Sequence, residues 1–339
     1  KSSKNSVKKV ITNWINNNSH FKKESWEFDM TAKRIISCLS NHQLTYDDND
    51  KEYRSIFDHM IQKQTNHLLN EIKNSKDLEN KIIGCTAIIL TGLCYKINKN
   101  YLEIGLSFLK KITVSSIDNQ GFTRSRNIKQ LIFFLKYFVL IREWFKEAQV
   151  EVPDHIEENI YYFGQGYAFI RQNIATDLLF NGNNNSNTYD LDNYLKRLGY
   201  KFKNENKDYG GYIILKNKKI CLAMDAGSSP NSKYTHDYQS GALSFEIISN
   251  GKKLITNCGY YKKNNQNLNE ISKSSAVHST LIIDDNSSCK FTKKKDKLIL
   301  KTGLKITQRN SVCEKNYWKI SAAHDGYFKK FKSIHERNI

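Results

Sequence analysis

The stretch Leu243-Ser244-Phe245-Glu246-Ile247-Ile248-Ser249-Asn250-Gly251-Lys252-Lys253-Leu254-Ile255-Thr256 decides how the second half of the chain folds. Two apolar-rich runs, residues 243–248 and 253–256, flank an Asn-Gly pair. Asn-Gly is the preferred centre of a two-residue type I′ turn, because both positions need positive φ. The reading is an antiparallel hairpin. Outward from it, residues 212–215 and 220–224 form a second strand pair joined at Asn217-Lys218, and residues 279–283, 297–300, 304–308 and 318–322 extend the β series. Residues 177–180 followed by Asn181-Gly182 read as a strand and turn, and residues 190–198 as a short helix.

Upstream the period changes from two to about 3.6. Tyr53, Ile56, Phe57, Met60, Ile61, Leu68, Leu69 and Ile72 recur mostly at steps of three and four, which places them on one buried helix face. Residues 82–97 and 131–145 are apolar nearly all round, the composition of helices with neighbours on several sides. Residues 7–15, 31–39, 101–112 and 154–170 complete a helical series without a fixed-period repeat. Helices first and antiparallel strands later predict an α+β protein of two domains, residues 1–175 helical and residues 176–339 mainly β, with the boundary near residues 172–186.

The chain has 339 residues, 39% hydrophobic, so a disordered chain is excluded. Fifty-three Lys and Arg against 34 Asp and Glu leave a net charge of +19, a field that attracts polyanions or simply a lysine-rich solvated surface. No RRM, helix-turn-helix or zinc-finger pattern accompanies the charge, which argues against specific nucleic-acid binding. The longest apolar run, residues 131–141, is interrupted by Lys136 and too short for a transmembrane segment. Seven Cys occur without a CxxC pair, and Cys38, Cys85 and Cys94 sit in apolar helical stretches, which argues against a disulfide framework or a zinc knuckle. The chain opens Lys1-Ser2-Ser3-Lys4 with no apolar segment behind it, so no secretory signal is visible.

Four strings follow one another in the β half: Ser240-Gly241-Ala242-Leu243-Ser244-Phe245-Glu246; Asn250-Gly251; Leu254-Ile255-Thr256-Asn257-Cys258-Gly259-Tyr260; and Ala276-Val277-His278-Ser279-Thr280-Leu281-Ile282-Ile283-Asp284-Asp285. Ala323-His324-Asp325-Gly326-Tyr327 and His335-Glu336-Arg337 come later. In order and spacing these resemble the heparinase II/III-like polysaccharide lyase family, and residues 26–39 and 118–127 resemble its bacterial branch. The resemblance implies an incomplete (α/α) toroid followed by an antiparallel β-sandwich, with this chain starting inside the toroid and stopping within the sandwich. It also implies β-elimination on an acidic, uronate-containing and possibly sulfated polysaccharide as substrate and partner. By substrate class the compartment would be the periplasm, or the cytoplasm if no leader precedes Lys1. Neither the polysaccharide nor the oligomeric state can be read from the residues.

Elimination needs a base at the proton alpha to the uronic carboxylate, a neutraliser of that carboxylate, and an acid for the leaving oxygen. By the resemblance, His278 stands at the family's His in the "A-x-H-S-T" segment, as base, carboxylate neutraliser or metal ligand, facing a cleft between the domains. Asn66-His67 and Asn41-His42 are polar pairs for the toroid mouth. Arg124 and Arg126, in the loop of residues 118–127, carry forks suited to carboxylate or sulfate. Tyr260, Tyr261, Tyr234 and His236 are candidate acids. The chain departs from the family where a Tyr is expected: residues 125–129 read Ser-Arg-Asn-Ile-Lys. It departs again at the metal ligands: Tyr238 or Gln239 stands at the first position and Asn257 at the second, leaving His278 alone, so no cofactor is predicted and a zinc set is incomplete. These departures also favour the alternative of a catalytically impaired carbohydrate-binding or cell-envelope protein on the same scaffold.

Overall fold

A computed structural model describes residues 2–47, 49–95, 100–172, 174, 176–184, 189–261, 266–294 and 297–339. The helices are α1 (Ser2–Asn18), α2 (Phe28–Ser40), α3 (His42–Thr45), α4 (Lys51–Glu71), α5 (Leu78–Cys94), α6 (Tyr101–Ser116), α7 (Ile128–Glu147), α8 (Asp154–Arg171) and α9 (Tyr189–Arg197). Each predicted helix is present, and the last residues of the 82–97 run lie outside the described residues. Lys1–Ser115 with Lys136–Glu158 form one compact unit, and Ser116–Leu135 with Asn159–Ile339 form the second, so α7 and α8 each contribute to both.

In the first unit, α5 is buried on nearly every side, as its composition requires, with α2 and α4 packed against it. Asp77 caps it by accepting the amide N–H groups of Glu79 and Asn80 at 2.9 and 3.3 Å. Asp50 caps α4 in the same way through Tyr53 N at 3.0 Å. Gly84 is where α5 meets α2: a Cβ there would come within 2.4 Å of the Phe28 ring. No described helix is long and apolar enough to cross a membrane.

The second unit holds the strands. Among the described residues, β1 (Asp208–Tyr209), β2 (Tyr212–Lys216), β3 (Ile220–Asp225), β4 (Phe245–Ser249) and β5 (Lys252–Ile255) form one antiparallel sheet in sequence order. Then come the short helix α10 (Gln266–Ser272), the hairpin β6 (Lys290–Lys294) and β7 (Lys297–Thr302), β8 (Ile306–Cys313), β9 (Trp318–His324), α11 (Phe328–Phe331) and β10 (His335–Asn338). β9 is the middle strand of a three-stranded antiparallel sheet between β8 and β10. Ile213, Leu215, Leu222 and Met224 from the first sheet pack with Ile320 and Ala322 from the second in one core, which makes the pair a sandwich. Asn250 and Gly251 have φ of 47° and 77°, both positive as the predicted turn demands.

Two predicted strands are absent. Residues 177–180 run as irregular backbone with Leu178, Leu179 and Phe180 buried, and the amide of Leu179 donates to the Glu246 carboxylate at 3.2 Å instead of to a strand. Residues 279–283 are also irregular, because Ser279 Oγ accepts the Phe245 amide at 2.9 Å and closes the sheet edge there. All seven cysteines are free thiols.

His324 on β9 and His335 on β10 face each other in register. The Gly326 amide donates to His324 Nδ1 at 3.0 Å, so the His324 proton sits on Nε2, which donates to His335 Nδ1 at 3.1 Å. Burial first lowers both below the ordinary imidazole value of 6.5; His335 and Arg337 add to it for His324, which falls to about 3, and Arg337 adds to it for His335, which falls to about 4. The unfolded chain therefore binds protons between pH 6.5 and 4 that the folded chain refuses. The stability this confers is complete above pH 6.5 and is lost as pH falls toward 4. Urea titrations at successive pH values should show the midpoint dropping through that window, and more shallowly in His335→Gln. An equal slope in the variant would refute the assignment.

Candidate functional site

The second unit gathers a polar cluster around one carboxylate, Asp237. A 3-10 turn, Ser232–Tyr234, leads into a tight turn at His236-Asp237, and the chain is then anchored by fully buried Tyr238 and Gln239. His236 Nδ1 meets Asp237 Oδ1 at 2.6 Å, while the His236 side chain remains 59% exposed. A carboxylate accepts, so the proton of the neutral ring sits on Nδ1 and Nε2 is left as a basic nitrogen toward solvent. The other carboxylate oxygen takes Asn127 Nδ2 at 3.2 Å.

Asn127 is held there by the start of α7, whose Gln130 amide donates to Asn127 Oδ1 at 3.1 Å. Gly182 crosses directly over it, with φ of +76° and no room for a Cβ, which would lie 2.2 Å from Asn127 Nδ2. Tyr260, 5% exposed, presents its hydroxyl to Asp237 and Asn269, and burial first, then Asp237, push that phenol well above its ordinary value. Its amide donates to Asn183 O at 2.7 Å, which ties it to the turn around Gly182. Lys129 Nζ reaches Asn184 Oδ1 at 3.4 Å on the same side of that turn.

Of the residues singled out from sequence, His236 and Tyr260 come together here. His278 is buried, 8% exposed, just after the 3-10 turn Ser275–Val277. Its Nε2 donates to Ser272 O at 3.1 Å, and burial, partly offset by that bond, lowers its pKa to about 4, so the ring is neutral at physiological pH. Arg126 is buried and points into the fold: it pairs with Asp225, donates to the carbonyls of Gly227, Ser228 and Gly211, and lies over the Tyr212 ring. Arg124 is exposed, with Nε on the Ile117 carbonyl at 2.7 Å in the loop it closes. Asn66 and His67 lie on α4 in the first unit. Asn66 accepts the Tyr101 hydroxyl at 3.0 Å, and His67 sits between the Phe21 and Trp26 rings with Nε2 on Trp26 O at 3.0 Å. Asn41 and His42 line a separate cavity of about 630 Å³ in that unit. Tyr261 is exposed and Tyr234 closes the 3-10 turn. Sequence reasoning missed Asp237 and Asn127 as the partners of His236. The His-Asp dipeptide was the available signal for the first.

The positions expected to hold a metal in this family do not fit one. Gln239 Nε2, a donor, is directed at Ser272 O and Gly259 O at 2.6 and 3.0 Å. Asn257 Oδ1 accepts the Ser279 amide at 3.0 Å, and its amide nitrogen faces Glu246. His278 shares the Ser272 carbonyl with Gln239. All three side chains are neutral and satisfied by the protein, whereas zinc takes at least three His, Cys or carboxylate ligands. No trio of His, Cys, Asp or Glu suited to a metal occurs among the described residues.

Residues 204–339 match the family described as heparinase II/III-like, C-terminal. A crystal structure of heparinase III superposes with a TM-score of 0.74 at 15% identity, over 98% of this chain and 56% of that one. The heparan sulfate lyase HepC from Pedobacter heparinus superposes with a TM-score of 0.68 at 13% identity, over 99% of this chain and 56% of that one. The chain thus spans a little over half the length of the structures it matches, and no curated protein sequence matches it. These likenesses are likenesses of fold: an incomplete (α/α) toroid and an antiparallel β-sandwich.

Two outcomes follow from the geometry. Arg126→Met leaves the Asp225 carboxylate buried without its cation and should cost about 3–5 kcal/mol in denaturant unfolding. An arginine kept for substrate would leave stability unchanged. Protein purified from zinc-supplemented medium should carry far less than one zinc per chain by elemental analysis, and its unfolding midpoint should ignore a chelator, whereas Gln239→His with Asn257→Asp should gain zinc binding. One tightly held zinc per native chain would overturn that assignment.

Proposed function

We propose that this chain, which carries the heparinase II/III-like C-terminal domain, belongs to a polysaccharide lyase that cleaves an acidic, uronate-containing polysaccharide by β-elimination. The observation that carries the reading is the exposed imidazole of His236, oriented by Asp237, with the Tyr260 hydroxyl on the same carboxylate. In this reading, His236 Nε2 takes the proton alpha to the uronic carboxylate. Asp237 holds the ring by its Nδ1 proton and stabilises the imidazolium as it forms.

Tyr260 is kept protonated at neutral pH by burial and is the acid available to the departing glycosidic oxygen. Lys129, at the start of the helix that presents Asn127, supplies positive charge for the uronic carboxylate. The net charge of +19 draws a polyanion toward any such site and weakens in salt. His278 acts from below in this scheme, as a neutral donor that fixes the Ser272 carbonyl.

A second reading has its own observation. The family's Tyr position falls in residues 125–129, where this chain has the internally bonded Arg126 and the cap Asn127. A scaffold without that Tyr would bind acidic polysaccharide and not cleave it. A panel of uronate-containing polysaccharides, followed by the ultraviolet absorbance of the unsaturated uronide, separates the two. The lyase reading expects absorbance to rise with at least one polymer and the rate to fall roughly 10²–10⁴-fold in His236→Ala. Saturable binding with no absorbance change supports the second reading and removes the first.

A further inference from the structure

We propose that Lys273 is a positioning residue of this site: its buried ammonium pins the His236-Asp237 turn from beneath and supplies the positive field in which the Asp237 carboxylate works. Lys273 directly follows α10 and is 3% exposed, rare for a lysine, whose stem ordinarily carries the charge out to water. Its Nζ donates to the carbonyl of His236 at 2.6 Å and, more weakly, to that of Leu298 on β7 at 3.4 Å. It lies 5.8 Å from the centre of the Tyr260 ring and 5.4 Å from that of Phe291 on β6.

The main chain is fixed on both sides. The Lys273 amide donates to Glu270 O at 3.2 Å, and its carbonyl accepts the Ser240 amide at 3.0 Å, next to Gln239. The root of the stem is thereby held, and its tip meets the carbonyl immediately before Asp237. Around the ammonium, β6 and β7 contribute a ring and a carbonyl. The segment of residues 236–237 contributes Asp237, and the Tyr260 segment contributes its phenol ring. Glu270 on α10 is turned outward to Lys293 at 3.6 Å. Burial first, opposed by Asp237, brings Lys273 down to about 8 from 10.5, so it is charged at neutral pH while the site works.

A charge buried at this cost persists only where its partners repay it. Here they are the two groups that orient His236: its own carbonyl and the Asp237 carboxylate. Without the ammonium, the His236 carbonyl loses its donor and the turn that sets the imidazole against Asp237 is held less firmly. Tyr260 loses a cation beside its ring.

The functional meaning of Lys273 rests on the reading of the site given above, but its test uses no substrate. In protein with carbon-labelled lysine methylenes, one lysine resonance, identified by its disappearance in Lys273→Arg, should titrate near pH 8 in the native protein. In Lys273→Gln the amide hydrogens of residues 236–239 should exchange faster than in the native protein, because the turn loses the ammonium on its carbonyl, and Lys273→Arg should restore the native rate. The proposal is overturned if the resonance that Lys273→Arg removes titrates in the ordinary lysine range, or if the amides of residues 236–239 exchange alike in native and Lys273→Gln protein. Should Lys273→Gln fail to fold, the native lysine titration and the Lys273→Arg exchange rates decide. Shifts as expected, beside an absence of uronide absorbance, would count against the lyase reading alone.

Discussion

The site of the second unit depends on one buried ion pair, Arg126 with Asp225. Two charges removed from water are costly, and their mutual attraction repays that cost only when the remaining donors and lone pairs are also bonded. Here they nearly all are. The guanidinium reaches Gly211 O, Gly227 O and Ser228 O, and Asp225 accepts Asn181 Nδ2 at 2.7 Å through its second oxygen. The pair therefore joins the loop before α7 to the ends of β2 and β3 and to the turn at residues 181–182. Arg126 adopts a φ of 57° to do so, an arrangement a residue without such partners would not hold. The consequence is positional. Asn127, the next residue, is delivered to Asp237, and Gly182 is brought over Asn127 so closely that only glycine can occupy the position.

How much of this could be read from the residues depended on whether the signal was local. The Asn250-Gly251 turn and its strands were legible because a type I′ turn and period-two burial are properties of adjacent residues. The buried face of α4 was legible for the same reason, in the 3.6 period. Residues 177–180 and 279–283 carried equally apolar runs but lost their ladder partners to side chains, Glu246 in one case and Ser279 in the other. A short apolar run does not reveal that its amide will be taken by a carboxylate some sixty-seven residues away. The change from helices to strands was legible, but α7 and α8 each serve both compact units, and a pattern read along the chain has no way to show one helix divided between two cores.

The site residues divide along the same line. His236 was visible as a histidine near the "SF" strand, and Tyr260 as the end of the "N-x-G-Y" string. Asp237 was not recognised, since an acidic residue beside a histidine is common on surfaces. Lys273 was invisible, one of 53 basic residues, because what sets it apart is burial, and burial is a property of the fold. Arg126 shows the converse. A fork suited to a carboxylate did find a carboxylate, but the protein's own.

The two histidines of this region illustrate how environment, more than residue type, assigns a role. His278 is surrounded by protein, donates from Nε2 to a main-chain carbonyl and is held near a pKa of 4 by the absence of water. It stays neutral and fixed at physiological pH. His236 is open to solvent on one side and bonded to a carboxylate on the other, which fixes the orientation of its ring. The resemblance to the family pointed to His278, because a motif records where a side chain once met a metal or a substrate. In this chain Gln239 and Asn257 are amides that bond the protein itself, and His278 joins them in that inward network. With that histidine committed to structure, the imidazole that still faces outward is one with a carboxylate behind it. That is the pairing of His236 with Asp237, above the buried ammonium of Lys273.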